Sequence, residues 1–181
     1  VSENEYNDCC KYIKNVIRIP NGYRQNDFII PKNNDFKSKY NLLNKKTFLF
    51  LGRMDPIKGV DLLIHAFNNL HYKNDEWQLV IIGTKNKYRN ELIKYAEKSI
   101  CKEKIFFIDP IFDEEKVKAY YFCDVFVIPS IFDAMTIVAV EAAACGKPII
   151  ITKTSDFKEI YLSNDIKPKI IFLNNNLQQE P

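Results

Sequence analysis

PSIFDAMTIVAVEAAACGKP, Pro129 to Pro148, decides how the rest of this chain reads. The apolar run Val125 to Ile128 leads into it and stops at Pro129-Ser130, as a buried strand closed by a turn does. Ile137 to Ala144 then reads as a helix, with Thr136, Ile137 and Val138 in its first turn. Backbone N–H groups there lack intrahelical acceptors, and together with the helix dipole they favour an anion such as phosphate. Asp133 precedes that turn and Glu141 lies inside the helix, with seven residues between them. Each carboxylate can accept hydrogen bonds from hydroxyls, and a phosphate flanked by two such acids describes a sugar nucleotide. The plainer reading of the same spacing is two unrelated surface charges, so the rest of the chain must decide.

Upstream, Phe48 to Leu51 and Gln78 to Ile82 are short apolar runs ended by Gly52 and Gly83, and Lys104 to Ile108 is a third such run. Val60, Leu63, Ile64, Phe67 and Leu70 recur at helical spacing, and helices are expected around Asn90 to Ser99 and Glu114 to Phe122. Downstream come a strand at Pro148 to Ile151, a short helix at Phe157 to Leu162 and a last strand at Ile170 to Leu173. Strand and helix alternate with short joints, which predicts an α/β fold: a Rossmann-like parallel sheet with helices on both faces. Ligands of such sheets bind outside the strands' carboxyl ends. The fold would therefore gather the loops Gly52 to Gly59, Gly83 to Lys87 and Pro129 to Thr136 along one edge. Neither GxGxxG nor GxxxxGK[ST] is present, so no dinucleotide fingerprint or P-loop explains the anion site. Before Thr47 the pattern is weaker. A helix is expected around Tyr6 to Lys14, a short strand ended by a Pro-Asn-Gly turn within Val16 to Tyr23, and a surface connection over 24–46.

With 181 residues, 46% hydrophobic and 27% charged, the chain suits one domain with a sizeable core. The net charge of +3 is spread along the sequence, which argues against a nucleic-acid groove. None of the five cysteines forms a CxxC pair; buried free thiols in a reducing, cytoplasmic compartment fit them best, with contact at a membrane surface left open. Two histidines argue against a His-rich metal site, and no apolar run reaches the length of a membrane span. Val1 in place of a methionine and the polar string Asn174 to Pro181 suggest a fragment of a longer protein.

The loop GRMDPIKG, Gly52 to Gly59, offers Arg53 and Lys58 between two glycines. Arginine can fork onto two phosphate oxygens while lysine acts as a mobile point charge, so the pair suits a diphosphate beside a helix N-terminus. GRMDPIKGVDLLIHAF, LVIIG, VFVIPS, the Asp-x7-Glu stretch with EAAACGKPII, and TKTSDFKEI occur in the order found in family 4 glycosyltransferases, and IPNG resembles the turn where their linker enters the second domain. The resemblance covers most of residues 16–163. It implies one half of a GT-B enzyme, with 1–46 as linker and lead-in segment and 47–181 as the nucleotide-sugar-binding domain. The N-terminal acceptor domain would then be absent and the C-terminal end truncated. By resemblance Arg53, Lys58 and Asp133 are catalytic, the first two on the donor diphosphate and the third at the donor sugar. Gly52, Thr136, Ile137, Val138 and Glu141 bind the donor, with Glu141 on the nucleotide ribose, and Ile108 to Ile111 meets the base. Implied partners are a nucleoside-diphosphate sugar, a hydroxyl acceptor such as a sugar or lipid-linked sugar, and the missing N-terminal domain. No cofactor or obligatory metal is implied.

Several residues depart from the family pattern. Asp133 is a methylene shorter than the usual glutamate, and Thr136 stands where a glycine would allow close backbone approach. Lys85 and Asp109 also replace glycines, and Ser155-Asp156 replaces a Gly-Gly pair before Glu159. These changes keep a second reading in play, a nucleotide-sugar-binding or assembly domain without turnover, and a third, a Rossmann-like enzyme for an unrelated ligand. Ser130 reads as a turn residue, Glu159 as a helix charge, and Tyr120-Tyr121-Phe122 as core.

Overall fold

Apolar runs too short for helices form the strands of a parallel sheet; the central ones are buried on both faces, while the last, at one edge, alternates half-buried and exposed residues. The computed structural model describes residues 3–19, 22–71, 75–133, 136–153 and 169–173. Its strands are β1 Lys46–Gly52, β2 Trp77–Gly83, β3 Ile105–Ile108, β4 Val125–Ile128, β5 Ile149–Thr152 and β6 Ile170–Leu173. All pairings are parallel, in the order β3-β2-β1-β4-β5-β6. The order reverses between β1 and β4, which opens a crevice beyond their carboxyl ends.

Strand periodicity of two sorts the side chains onto two cores. Leu49, Val80, Ile82, Phe126 and Ile128 face α5 (Asp113–Phe122) and α6 (Ile137–Ala144). Phe50, Leu79, Ile81 and Val127 face α3 (Val60–His71) and α4 (Lys87–Glu97). Gln78 is the polar exception on β2. Fully buried, it accepts from the Leu43 amide at 2.9 Å and donates to the Leu43 carbonyl at 3.0 Å and Thr47 Oγ1 at 2.9 Å. It thereby fixes where the chain enters β1.

The lead-in differs from the sequence reading. Helix α1 forms at Glu3–Cys10, nearer the N-terminus than expected. Residues 16–19 form no strand. The alternation there mimics one, but the segment lies outside the six-stranded sheet, and Ile17 and Ile19 are 85% and 73% exposed. Residues 24–46 are more than a surface connection. A 3-10 turn forms at Gln25–Phe28 and a short helix, α2, at Phe36–Lys39. Phe36 is fully buried, 5.5 Å from the Phe122 ring, and Leu42 joins the same core. Tyr121 on α5 donates to the Phe28 carbonyl at 2.9 Å, and Lys118 pairs with Asp35 at 3.0 Å. One aromatic anchor without periodic neighbours left no signal in the sequence. Helix α4 starts earlier than expected because Asn86 caps it, accepting from the Arg89 amide at 2.9 Å. The helix expected at Phe157 to Leu162 falls outside the described residues.

Phe36→Ala is expected to destabilise the domain by about 3–5 kcal/mol, the usual cost of emptying a fully buried aromatic site. Urea denaturation checks this; a cost below about 1 kcal/mol would mean that the lead-in is not part of the core. Cys9 and Cys10 are exposed while Cys101, Cys123 and Cys145 are buried. Burial pushes the Cys123 and Cys145 thiols up to about 12. The unfolded chain therefore releases these protons first, and stability conferred by the protonated thiols is complete below about pH 9 and lost as pH rises toward about 12. A thiol reagent at pH 8 should titrate Cys9 and Cys10 alone, and the urea midpoint should fall between pH 9 and 11.

Candidate functional site

Three loops meet beyond the carboxyl ends of β1, β2 and β4, and their meeting is forced by backbone packing. After β1, Asp55 accepts from the Ile57 amide at 3.0 Å and starts a 3-10 turn at Pro56–Lys58. Gly59 closes the turn at φ 63°, and a Cβ there would run into the Pro129 carbonyl oxygen. The Ile131 amide donates to the Ile57 carbonyl at 2.8 Å across the same seam. On the other side, a Cβ on Gly83 would strike the Gly52 carbonyl. Thr84 Oγ1 accepts from the Met54 amide at 3.1 Å, and Asn86 donates to the Met54 carbonyl at 2.6 Å. The β1 loop is thus clamped from both neighbours.

Between that loop and α6 lies a cleft of about 430 Å³. Gly52, Arg53, Lys58, Asp133, Thr136, Ile137 and Val138 all line it, with Ser130 alongside and Phe50, Leu51 and Ile128 as its apolar part. The cleft brings together the residues expected on the diphosphate and the sugar, but neither Glu141 nor the Ile108 to Ile111 segment expected at the base lines it. Arg53 is exposed and has no ionic partner among the described residues. Lys58 pairs with Asp133 at 2.7 Å, their side chains only 18% and 12% exposed. Two residues expected to serve different parts of a ligand therefore hold each other. Thr136 occupies the N-cap of α6 at φ −91°, ψ 98°, yet its side chain caps nothing.

Glu141 faces the other way along α6. It is 7% exposed, accepts from Lys116 at 2.6 Å and from the Tyr120 hydroxyl at 2.7 Å. Burial first, and then the Glu141 carboxylate, pushes the Tyr120 phenol well above its ordinary value, so it stays a donor. Glu141 lines two further recesses against the lead-in segment, of about 540 and 240 Å³, shared with Asp27 and Phe28. Ile137 lines both the main cleft and the smaller recess, so the two adjoin across its side chain. Lys116 and Tyr120 were missed as site residues. Their one signal in the sequence is an i,i+4 spacing that puts both on one face of α5.

The departures at Lys85 and Asp109 turn out to be one feature. Lys85 pairs with Asp109 at 2.7 Å and the buried Arg89 reaches the other carboxylate oxygen at 3.2 Å. The hydrogen bond from Lys85 holds the Asp109 carboxyl below the usual carboxylate range. Two glycines lost separately in the sequence are thus replaced by a charge pair bridging the loops after β2 and β3. Ile108 at the end of β3 is buried, and Ile111 packs partly buried against the same core. Ser155, Asp156 and Glu159 lie outside the described residues.

Comparison with known proteins gives a consistent picture. The profile of the family described as "Glycosyl transferases group 1" matches residues 32–179. The chain is similar to the D-inositol 3-phosphate glycosyltransferase of Corynebacterium efficiens, 31% identical over 117 residues, which cover 60% of this chain and 27% of that protein. Among solved structures it resembles WaaG, a glycosyltransferase involved in lipopolysaccharide biosynthesis, with a TM-score of 0.75 at 17% identity over 97% of this chain and 48% of that one. It also resembles HepE of Anabaena in complex with UDP-glucose, with a TM-score of 0.68 at 20% identity over 77% and 39% of the two chains. The chain thus spans less than half the length of these relatives.

Asp133→Asn removes the anion that both engages Lys58 and repels a bound polyanion. Calorimetry with inorganic diphosphate should show affinity rising about 3- to 10-fold, the effect of deleting one nearby like charge. Unchanged or weaker binding would mean that the Lys58–Asp133 pair serves only to hold the loops.

Proposed function

The chain belongs to the group 1 glycosyltransferases, and from that premise we propose that it is the donor-binding half of a retaining enzyme that moves a sugar from a nucleoside diphosphate to a hydroxyl acceptor. The α/β sheet is one Rossmann-like half of the GT-B arrangement. The observation that carries the proposal is the convergence on one cleft of Arg53, which has no ionic partner among the described residues, of Lys58, paired with Asp133, and of the N-terminus of α6. The UDP-glucose bound by HepE supports a nucleotide sugar as the ligand class.

In this reading the diphosphate sits at the first turn of α6, where unbonded amides and the helix dipole favour negative charge. Arg53 forks onto phosphate oxygens, and Lys58 exchanges Asp133 for a phosphate. Released from Lys58, Asp133 becomes an acceptor for a hydroxyl of the donor sugar. As the glycosidic bond breaks, charge accumulates on the leaving diphosphate, and these fixed cations stabilise it more than they stabilise the intact donor. The ribose reaches Glu141 across Ile137, along the line where cleft and recess adjoin. Lys116 and Tyr120 hold that carboxylate for it. Arg53, Lys58 and α6 supply the countercharge, so no obligatory metal enters the proposal. The acceptor, a sugar, a lipid-linked sugar or another hydroxyl compound, is bound by an N-terminal domain of the same protein. A reducing cytoplasmic setting suits the three buried thiols. Among the described residues no helix is long and apolar enough to cross a membrane.

A reading without turnover draws on the Lys58–Asp133 pair and on Thr136 in place of glycine, because both crowd or occupy the place of a donor sugar. Calorimetry of this chain against UDP, GDP and their sugar conjugates tests the main proposal. Arg53→Ala should weaken binding of the preferred diphosphate at least tenfold, the scale of one lost charge-assisted contact. Equal binding by the variant, or protection against heat by NAD and not by nucleoside diphosphates, would sink the assignment. Transfer by the full-length protein, set against binding alone, separates the enzyme from the reading without turnover.

A further inference from the structure

Thr136 breaks a rule of helix ends. A threonine at an N-cap normally turns its hydroxyl to accept from an amide of the first turn, and that bond is the reason the residue is favoured there. Thr136 has the extended backbone of a cap and its carbonyl accepts from the Ala139 amide at 3.0 Å, yet its hydroxyl accepts from none of them. The residue is only 6% exposed, and Oγ1 is a buried polar atom with no hydrogen-bond partner among the described residues. A buried hydroxyl left unmade costs stability, and a valine of the same shape would fill the space without that cost. The fold therefore gives no reason for an oxygen at this position, and the cleft that Thr136 lines does.

From this orphaned donor we infer that Thr136 Oγ1 donates a hydrogen bond to a non-bridging phosphate oxygen of the bound nucleoside diphosphate. Thr136 then fixes diphosphate affinity through its side chain as well as its backbone. The inference rests on the reading of the cleft as a diphosphate site. Oγ1 belongs to the residue that opens α6, beside the amides of Ile137 and Val138, which have no intrahelical acceptor. Donors grouped around one point are best satisfied by a single acceptor-only group with several lone pairs. A phosphate oxygen meets that need, whereas a sugar hydroxyl brings its own proton and is better placed against Asp133. A glycine at this position could offer its amide but no such donor. The threonine thus replaces open space with one more contact, and the crowding expected from the sequence becomes recognition.

Thr136→Val and Thr136→Ser separate this role from packing. The valine variant, without ligand, should melt at the same temperature as the native chain or higher, because an unpaired buried polar atom is gone. Its affinity for UDP or GDP, whichever the native chain prefers, should nevertheless fall about tenfold, while the serine variant stays within about threefold. A purely structural threonine would move stability and binding in the same direction. Diphosphate binding by the valine variant as tight as by the native chain overturns the inference. So does a serine variant as weak as the valine one. If Arg53→Ala weakens binding while Thr136→Val does not, the cleft reading stands and the role of Thr136 falls. If neither the native chain nor any variant binds a nucleoside diphosphate, both fall.

Discussion

The contact of Gly59 beneath the Pro129 carbonyl, at the point where the sheet order reverses, underlies the rest of the site. Parallel sheets diverge beyond the carboxyl ends of neighbouring strands wherever their connections run to opposite faces. Here β1 leads to α3 on one face and β4 leads to α6 on the other. A side chain at residue 59 would push the two loops apart, and its φ of 63° belongs to a residue without a Cβ. With hydrogen there instead, the Ile57 carbonyl comes within 2.8 Å of the Ile131 amide, and Lys58 is carried to Asp133. Gly83 performs the matching task against Gly52 on the other flank.

That seam also explains the electrostatic character of the cleft. Three groups suited to an anion face it, and each is held differently. Arg53 is exposed, Lys58 is engaged by Asp133, and Thr136 is buried with its hydroxyl unpaired among the described residues. Exposed pairs contribute little to stability, but Lys58 and Asp133 are mostly withdrawn from solvent, where removing one partner leaves the other charge uncompensated. An incoming polyanion with sugar hydroxyls attached supplies new partners to both members at once. Glu141 follows a different logic. Its carboxylate is held by a lysine and a phenol on α5, so its position is set by helix packing rather than by the loops.

The sheet was legible because buried parallel strands leave continuous apolar runs, and β1 through β6 form where those runs lie. The lead-in was not legible for the opposite reason. Phe36 enters the core as a single aromatic in a polar stretch, which carries no period, and Ile17-Arg18-Ile19 alternates like a strand although the segment lies outside the sheet. At the site, Arg53, Lys58, Asp133 and Thr136 to Val138 could be named from loop chemistry and the resemblance, and the fold gathers them. Lys116, Tyr120 and the bridge between Lys85 and Asp109 could not, because each depends on which helix face or loop lies opposite.

The sequence by itself determined the alternation of strand and helix, the loops that carry charge, and the helix whose N-terminus favours an anion. These are properties of short segments, set by periodicity, glycine and proline placement, and the free amides of a helix end. Tertiary structure alone decided the partners. It paired Lys58 with Asp133, turned Glu141 toward α5 and left the Thr136 hydroxyl buried without a partner among the described residues. Whether a charge is free, engaged or stranded depends on distances of a few ångströms between residues far apart in the chain, and only the packed fold fixes those distances.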